Sequence, residues 1–316
     1  MTGALVTSDD LAAACRAAGL PGGAPVAPGP GPLASPSYKA LESASVFVEA
    51  PTGPVFVKVM HPEMRAGFDL PAAMSLARAA GAAGVGPRVL WADAGAGAIA
   101  MEALLPAAGW RGANQAVLQD PAVLAAAMAA LRALQATAPL AHRFDPFAEI
   151  DRLIAGFAAI GAPLPADTGW LRAVIALCEP MMDDAVLAPC RNDGSASNLL
   201  VGPGGVRLID FDRAGMMDPL YEVGALLAEV TDFETDMMPG FVAYLGGFDA
   251  VAFARARLWS FVDDMLHGLW SRLQAHRSVR GGVEWQKYGE WRLMRLRLAL
   301  NHPGFEEKIR IVRGQA

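Results

Sequence analysis

The 316-residue chain predicts an α+β protein with a small β-rich N-terminal lobe and a larger, mainly helical C-terminal lobe. Three observations lead there. The length exceeds what one hydrophobic core usually organises. Short runs carrying Val and Phe, which read as strands, are concentrated before residue 105. Beyond it, apolar residues recur at helical spacing, interrupted by one small hairpin. The expected lobes are residues 1–104 and 105–316.

Each element has a local reason. Met1 to Leu20 reads as a helix entered at Thr7 or Ser8, with Asp9 and Asp10 in its first turn. Pro21 to Pro36 is dense in Pro and Gly and reads as a loop or linker. Ser45–Glu49 and Pro54–Met60 form a hairpin signal around Pro51-Thr52-Gly53. Leu70 to Ala83 follows as an Ala-rich helix. Val89–Ala92 and Ala98–Ala103 read as strands around Gly95-Ala96-Gly97. In the second lobe Pro121–Thr137, Phe147–Ile160, Gly169–Asp184, Pro219–Val230, Met238–Leu245, Asp249–Ala275 and Glu284–Leu300 read as helices. Only Asn198–Gly202 and Val206–Phe211 interrupt them as strands.

Composition excludes several function classes. The chain is 53% hydrophobic and 18% charged, the balance of a folded globular protein. A net charge of -6 argues against nucleic-acid binding, which demands clustered Lys and Arg. The basic stretch Arg292–Arg297 reads as a solvated helix face. Pro121 to Leu140 is interrupted by Arg132 and Gln135 and is too short to span a bilayer. The N-terminus shows no basic leader ahead of an apolar block. Three widely spaced cysteines, Cys15, Cys178 and Cys190, offer neither a disulfide framework nor zinc spacing, so a cytoplasmic location is expected.

Polar residues gather at the second-lobe hairpin. Asp193 and Asn198 stand five apart on a loop running into a strand, and Asp210 follows Asp193 by 17 residues at the end of the return strand. A hairpin of that length brings both ends together. An Asx-capped turn would also place Asp193 and Asn198 there. Phosphoryl transfer, however, needs such a set: a carboxylate to orient or deprotonate the attacking hydroxyl, and oxygen ligands to hold Mg²⁺ against the phosphates.

The flanking residues add a resemblance. Asp193-x-x-x-x-Asn198 with Ile209-Asp210-Phe211 resembles the catalytic and metal-binding motifs of the kinase-like superfamily. Cys190-Arg191-Asn192-Asp193 is similar to the Cys-His-Asn-Asp of choline and ethanolamine kinases. Asp212-Arg213-Ala214-Gly215 with Asp218-Pro219-Leu220-Tyr221-Glu222 is close to the corresponding stretch of bacterial members. Asp263-Asp264-Met265-Leu266-His267-Gly268-Leu269-Trp270 resembles their acceptor-pocket helix. The resemblance covers most of the chain and implies a bilobal protein-kinase-like fold. It also implies an ATP-dependent, Mg²⁺-requiring phosphotransferase with a small-molecule hydroxyl acceptor of the choline or ethanolamine kind.

Carried over residue by residue, it implies that Asp193 is the base and that Asn198 and Asp210 are metal ligands. Lys58 then binds nucleotide phosphates, and Met101, Glu102 and Leu104 form the nucleotide hinge. Trp270 matches one tryptophan of a quaternary-ammonium cage and His267 falls where the other is expected. Tyr288 matches a further aromatic, Asp263 and Asp264 would supply negative charge, and Asp212 and Glu222 either bind acceptor or cap backbone. Trp259, Phe261, Met265 and Trp270 at helical spacing also fit a plain core.

Three departures stand out. Arg191 replaces the usual histidine. The helix after Lys58 offers no glutamate in Pro71-Ala72-Ala73-Met74, with Glu63 and Asp69 nearby. The phosphate loop lacks its glycines, and either Leu33–Tyr38 or Leu41–Ser45 takes its place. They keep two alternatives open: an aminoglycoside-phosphotransferase-like kinase of another hydroxyl compound, and a catalytically silent nucleotide-binding protein.

Overall fold

A computed structural model describes residues 5–20, 27–34 and 38–315. The expected positions before residue 5, part of the Pro/Gly-rich stretch and Ser35–Ser37 lie outside the described residues. The N-terminal part is built on a five-stranded antiparallel sheet in the order β1-β2-β3-β5-β4. Its strands are β1 (Ala27–Pro28), β2 (Ser43–Ala50), β3 (Gly53–Met60), β4 (Val89–Asp93) and β5 (Ala98–Glu102). The β2–β3 hairpin pairs Ser45 with Lys58 and turns at residues 51–52. Helix α1 (Ser8–Ala17) begins at a capping box, in which Thr7 and Asp10 satisfy each other's backbone N–H groups. Its buried Ala14 and Cys15 pack on the sheet's apolar Val face.

Between β3 and β4 lie the short helix α2 (Pro62–Arg65) and α3 (Leu70–Ala82). Asp69 caps α3 by accepting from the Ala72 N–H at 2.8 Å. The buried face of α3 is Leu70, Ala72, Ala73, Leu76, Ala77 and Ala80, all apolar.

The remainder is mostly helical. It holds β6 (Arg111–Gly112), α4 (Gln115–Leu118), α5 (Pro121–Gln135), α6 (Pro146–Ala159), α7 (Thr168–Ile175), β7 (Ala188–Cys190), β8 (Leu199–Gly202), β9 (Gly205–Leu208) and β10 (Gly215–Met217). It closes with α8 (Pro219–Val230), α9 (Met238–Leu245), α10 (Ala250–Arg277), α11 (Trp285–Leu300) and α12 (Gly304–Val312). Asp-Pro pairs start α5, α6 and α8: the Asp side chain accepts backbone N–H groups of the first turn, and Pro pre-sets φ where no donor is needed. Most of α10 is buried, packed among α6, α8, α11 and α12.

The fold class matches the expectation. The differences have local causes. Gly169–Asp184 is not one α-helix: α7 ends at Ile175 and continues as a 3₁₀ stretch over Ala176–Met182, because Pro180 lacks an N–H and its ring excludes the carbonyl four residues back. Strands β7 and β10 are three residues each, too short to show a period, yet they pair in antiparallel. Helix α12, which starts at Gly304 directly after Pro303, is not among the expected elements. Arg292 is buried rather than solvated, because Asp263 and Asp264 of α10 face it. Among the described residues, no single helix is long and apolar enough to cross a membrane.

Candidate active site

Two hairpin-like connections create the site. The chain leaves β7, crosses a loop over residues 191–198, and enters β8; it leaves β9 and crosses residues 209–214 to β10. Because β7 pairs with β10 and β8 with β9, the loops lie side by side, joined where the Ile209 N–H donates to the Asn198 carbonyl at 3.0 Å. Each loop turns through a left-handed residue, Asn192 at φ 56° and Asp210 at φ 62°. Asn and Asp tolerate that conformation best among side-chain-bearing residues. Asn192 is then fixed by donating from Nδ2 to the Arg213 carbonyl at 2.9 Å.

Asp193 is buried at the tip. Its Oδ1 accepts from the Ser195 N–H at 2.6 Å and its Oδ2 from Asn198 Nδ2 at 2.5 Å. The two bonds, one to each oxygen, hold the carboxylate in one orientation. Gly194 lets the loop approach α8: a Cβ there would lie 2.5 Å from the Ala225 carbonyl carbon.

Arg191 occupies the expected histidine position and is fully buried. It pairs with Glu222 at 2.9 Å and donates to the carbonyls of Asn198 at 2.9 Å, Ile209 at 2.8 Å and Asp193 at 2.7 Å. One side chain thus ties both loops together, and the Glu222 carboxylate is engaged with it.

Lys58, on β3, sits 2.7 Å from Asp210 and 2.9 Å from Asp212. Burial works against its charge, but the two carboxylates outweigh it and raise the lysine pKa. Burial also raises Asp212, with help from Asp210, to about 7, whereas Lys58 overcomes burial at Asp210 and lowers it. Of the two nearby acids, Glu63 pairs with Arg280 at 3.3 Å and Asp69 caps α3, so neither meets Lys58. The acid that joins this group is Glu42, just ahead of β2, whose carboxylate lies within 4.8 Å of those of Asp210 and Asp212. No motif marks Glu42; the signal was its position facing the end of β3, where the His61 N–H donates to its carbonyl at 2.8 Å. Burial, then Asp210 and Asp212, push its pKa well up.

These groups close one end of a cleft of about 200 Å³ between the sheet and the helical part. Met101, Glu102 and Leu104 line it, as do Lys58, Asn198 and Asp210. Its walls are apolar: Phe56 and Ile99 from the sheet, Ala73 and Ala77 from α3, Leu200 and Ile209 beneath. Of the two phosphate-loop candidates, Leu41–Ser45 runs into β2, and Ser43 and Ser45 face the cleft; Leu33–Tyr38 lies partly outside the described residues.

The aromatic set expected to receive the acceptor also converges, but on the chain itself. Tyr38 packs against Trp270 at 5.5 Å, Tyr288 at 5.6 Å and His267 at 6.1 Å between ring centroids. The Arg213 guanidinium lies 5.7 Å from the Trp270 ring. His267 Nδ1 is 3.0 Å from Asp263, which also accepts from Tyr221 and Arg292. Asp264 pairs with Arg292 at 2.6 Å and Arg295 at 3.3 Å. The negative charge expected beside a cationic acceptor is therefore neutralised by arginines. Asp212, expected on the acceptor, stands with Lys58.

Oxygen donors are the right kind for Mg²⁺: the Asn198 amide, Asp210 and Asp212, with Glu42 adjoining.

The overall architecture is shared with solved structures. A choline/ethanolamine kinase family protein from Mesorhizobium loti superposes with a TM-score of 0.78 at 23% identity, covering 98% of this chain and 100% of that one. A choline kinase from Streptococcus pneumoniae gives 0.68 at 16% identity over 82% and 89% of the two chains. An aminoglycoside 2'-phosphotransferase solved with GDP gives 0.55 at 15% identity over 82% and 90%. No curated protein matches the sequence. The profile of the phosphotransferase enzyme family matches residues 39–259, which take in the cleft, Lys58, both loops and the start of α10. The chain belongs to that phosphotransferase family.

Proposed function

We propose that this protein is an ATP-dependent kinase that phosphorylates the hydroxyl of a small molecule, working in the cytoplasm with its lobes meeting near residue 104. The observation that carries the reading is the continuity of the two loops: Asp193 contacts Asn198, and Asn198 lines the same cleft as Lys58 and Asp210. The base and the phosphate end of a nucleotide cleft are thereby neighbours.

In this reading the adenine lies against Met101, Glu102 and Leu104 with the apolar walls around it. The phosphates reach Lys58, whose raised pKa keeps it cationic. Asn198, Asp210 and Asp212 would hold Mg²⁺, which supplies charge neutralisation for the phosphates when bound. Asp193 orients the acceptor hydroxyl and receives its proton. The acceptor oxygen forms its bond to the γ-phosphorus as the bond to the β-bridging oxygen breaks, and ADP leaves. Complexes of proteins with similar folds, one with AMP and one with GDP, support the use of a nucleotide.

The names of the similar choline and ethanolamine kinases support an amino-alcohol acceptor, with His267, Trp270 and Tyr288 around it and Asp264 behind. A second reading, another hydroxyl compound, is favoured by one observation: a cation, Arg213, already lies over Trp270.

Asp193→Ala lowers acceptor-dependent ADP release by about a hundredfold or more, the scale of losing a general base. Near-normal turnover in that variant would remove Asp193 from its role. Mg·ATP stabilisation of wild-type protein without ADP release across hydroxyl compounds would instead identify a silent binder.

A further inference from the structure

We infer that the acceptor carries an anionic group, carboxylate or phosphate, which Arg213 binds in a second cavity beside the phosphate end of the cleft. The inference takes up the second acceptor reading, a hydroxyl compound other than an amino alcohol, and its phosphotransfer step rests on the kinase reading above; the anion site rests on its own geometry. This cavity, of about 390 Å³, lies between the Gly67–Asp69 turn, the stretch His142–Asp145, the start of α6 and Asp212-Arg213-Ala214. Asp212 lines both this cavity and the nucleotide cleft, so a molecule held here adjoins the transferable phosphate.

Arg213 is 8% exposed. Its guanidinium is stacked between the Phe68 ring, 5.2 Å away, and the Trp270 ring, 5.7 Å away. Among the described residues no carboxylate pairs with it, and its Nη2 is buried without a hydrogen-bond partner. A buried charge in that condition is costly unless something compensates it.

The acids of the cavity wall are already engaged. Glu149 takes Arg152 at 2.7 Å and 2.5 Å. Asp212 takes Lys58. Asp69 and Asp145 accept backbone N–H groups at the starts of α3 and α6, where the helix dipole offsets their charge. Arg213 is thus the buried charge left for a ligand. A guanidinium packed between two rings is held in place, and its planar fork matches a carboxylate or a phosphate. The same stacking takes the Trp270 face that a quaternary ammonium would need.

The test is a thermal-shift titration of the full chain, without nucleotide, using four probes that differ in charge: glycerate, glycerol 3-phosphate, glycerol and choline. Glycerate or glycerol 3-phosphate raises Tm, and which of them acts separates a carboxylate site from a phosphate site. Glycerol and choline leave Tm unchanged. Arg213→Gln abolishes the anion shift, and Arg213→Lys, which keeps the charge but loses the fork, weakens anion binding by about fivefold or more. The inference is overturned if neither anion shifts Tm, if choline shifts it as much, or if both variants bind the anion as wild type does. Should Arg213→Gln not fold, the Lys variant alone decides. Adding Mg·ATP and measuring ADP release examines the kinase reading separately. An anion shift with no ADP release from any probe counts against phosphotransfer and leaves the anion site standing.

Discussion

Arg191 uses five hydrogen bonds, four from its side chain and one from its backbone N–H, to hold two loops and one buried acid. Its partner Glu222 is as deeply buried, and burial raises the Glu222 pKa although Arg191 opposes it. Arg191→Met therefore strands a carboxylate in the interior and costs about 3–5 kcal/mol, read by urea unfolding. The double change Arg191→Met with Glu222→Leu recovers only part of that stability: no carboxylate is left stranded, but the loop carbonyls that the guanidinium held lose its hydrogen bonds. It does not recover turnover, because the guanidinium that ties the Asp193, Asn198 and Ile209 carbonyls together is gone. Equal recovery of stability and ADP release would show that the guanidinium does not position the loops. At this scale the sequence was legible where spacing constrained it: Asp193, Asn198 and Asp210 sit on one short hairpin, and chain geometry brings them together. Glu42, Arg213 and Arg292 were not legible, because each gains its meaning from a partner far away in the chain. Arg292 amid polar helix residues looks solvated until Asp263 and Asp264 of α10 are set against it.

Helix α8 carries both Asp218, which caps it and accepts from Trp259 Nε1 at 2.8 Å, and Glu222, which holds Arg191. Its distance from α10 thus fixes the height of the loop carrying Asp193. That distance is set at Gly224, where an added Cβ would lie 1.9 Å from the Ala256 carbonyl oxygen and 2.7 Å from its carbon. The obstruction is helix backbone, so the two helices must separate. Gly224→Ala costs about 2–3 kcal/mol and lowers turnover together with Tm. Gly169→Ala is the control: it lies exposed in the first turn of α7 with nothing within 4 Å, and the better helix former stabilises by up to about 1 kcal/mol. A Gly224→Ala protein as stable as wild type would mean that α8 and α10 shift freely. Element types were legible for a related reason. Asp-Pro starts and apolar periodicity are local, so α5, α6, α8 and α9 emerge almost at their observed bounds. The three-residue strands β7 and β10 carry no such local signal. They exist because each pairs with the other, a contact between chain segments some 25 residues apart.

Over the whole molecule, buried carboxylates govern how stability varies with pH. Glu229 on α8 is pushed to about 7 by burial, against the attraction of Arg292 and Arg295; Asp212 is likewise raised to about 7. An acid raised by folding holds its proton in the native state from its ordinary value, 4.5 for Glu, up to its folded value, while the unfolded chain has already released it. Stability therefore falls as pH rises through that window, and the full penalty is present above about 7. Asp263 has the opposite sign: burial opposes its charge, but His267 and Arg292 overcome it and hold the carboxyl far below the usual range. Its contribution is present at neutral pH and is lost only as the solution becomes strongly acidic. The two trends place maximum stability on the acid side of neutrality. Glu229→Gln isolates the first. Glu229 Oε2 has no hydrogen-bond partner among the described residues and its nearest Arg295 contact is long, 3.7 Å, so the amide surrenders little. The variant is more stable than wild type at pH 8 by up to about 3 kcal/mol, and the gain shrinks to nothing by pH 4.5. Thermal unfolding of both proteins at pH 4.5, 6 and 8 measures it. A gain that does not change with pH would mean that Glu229 is ionised throughout, and that Arg292 and Arg295 compensate its burial fully.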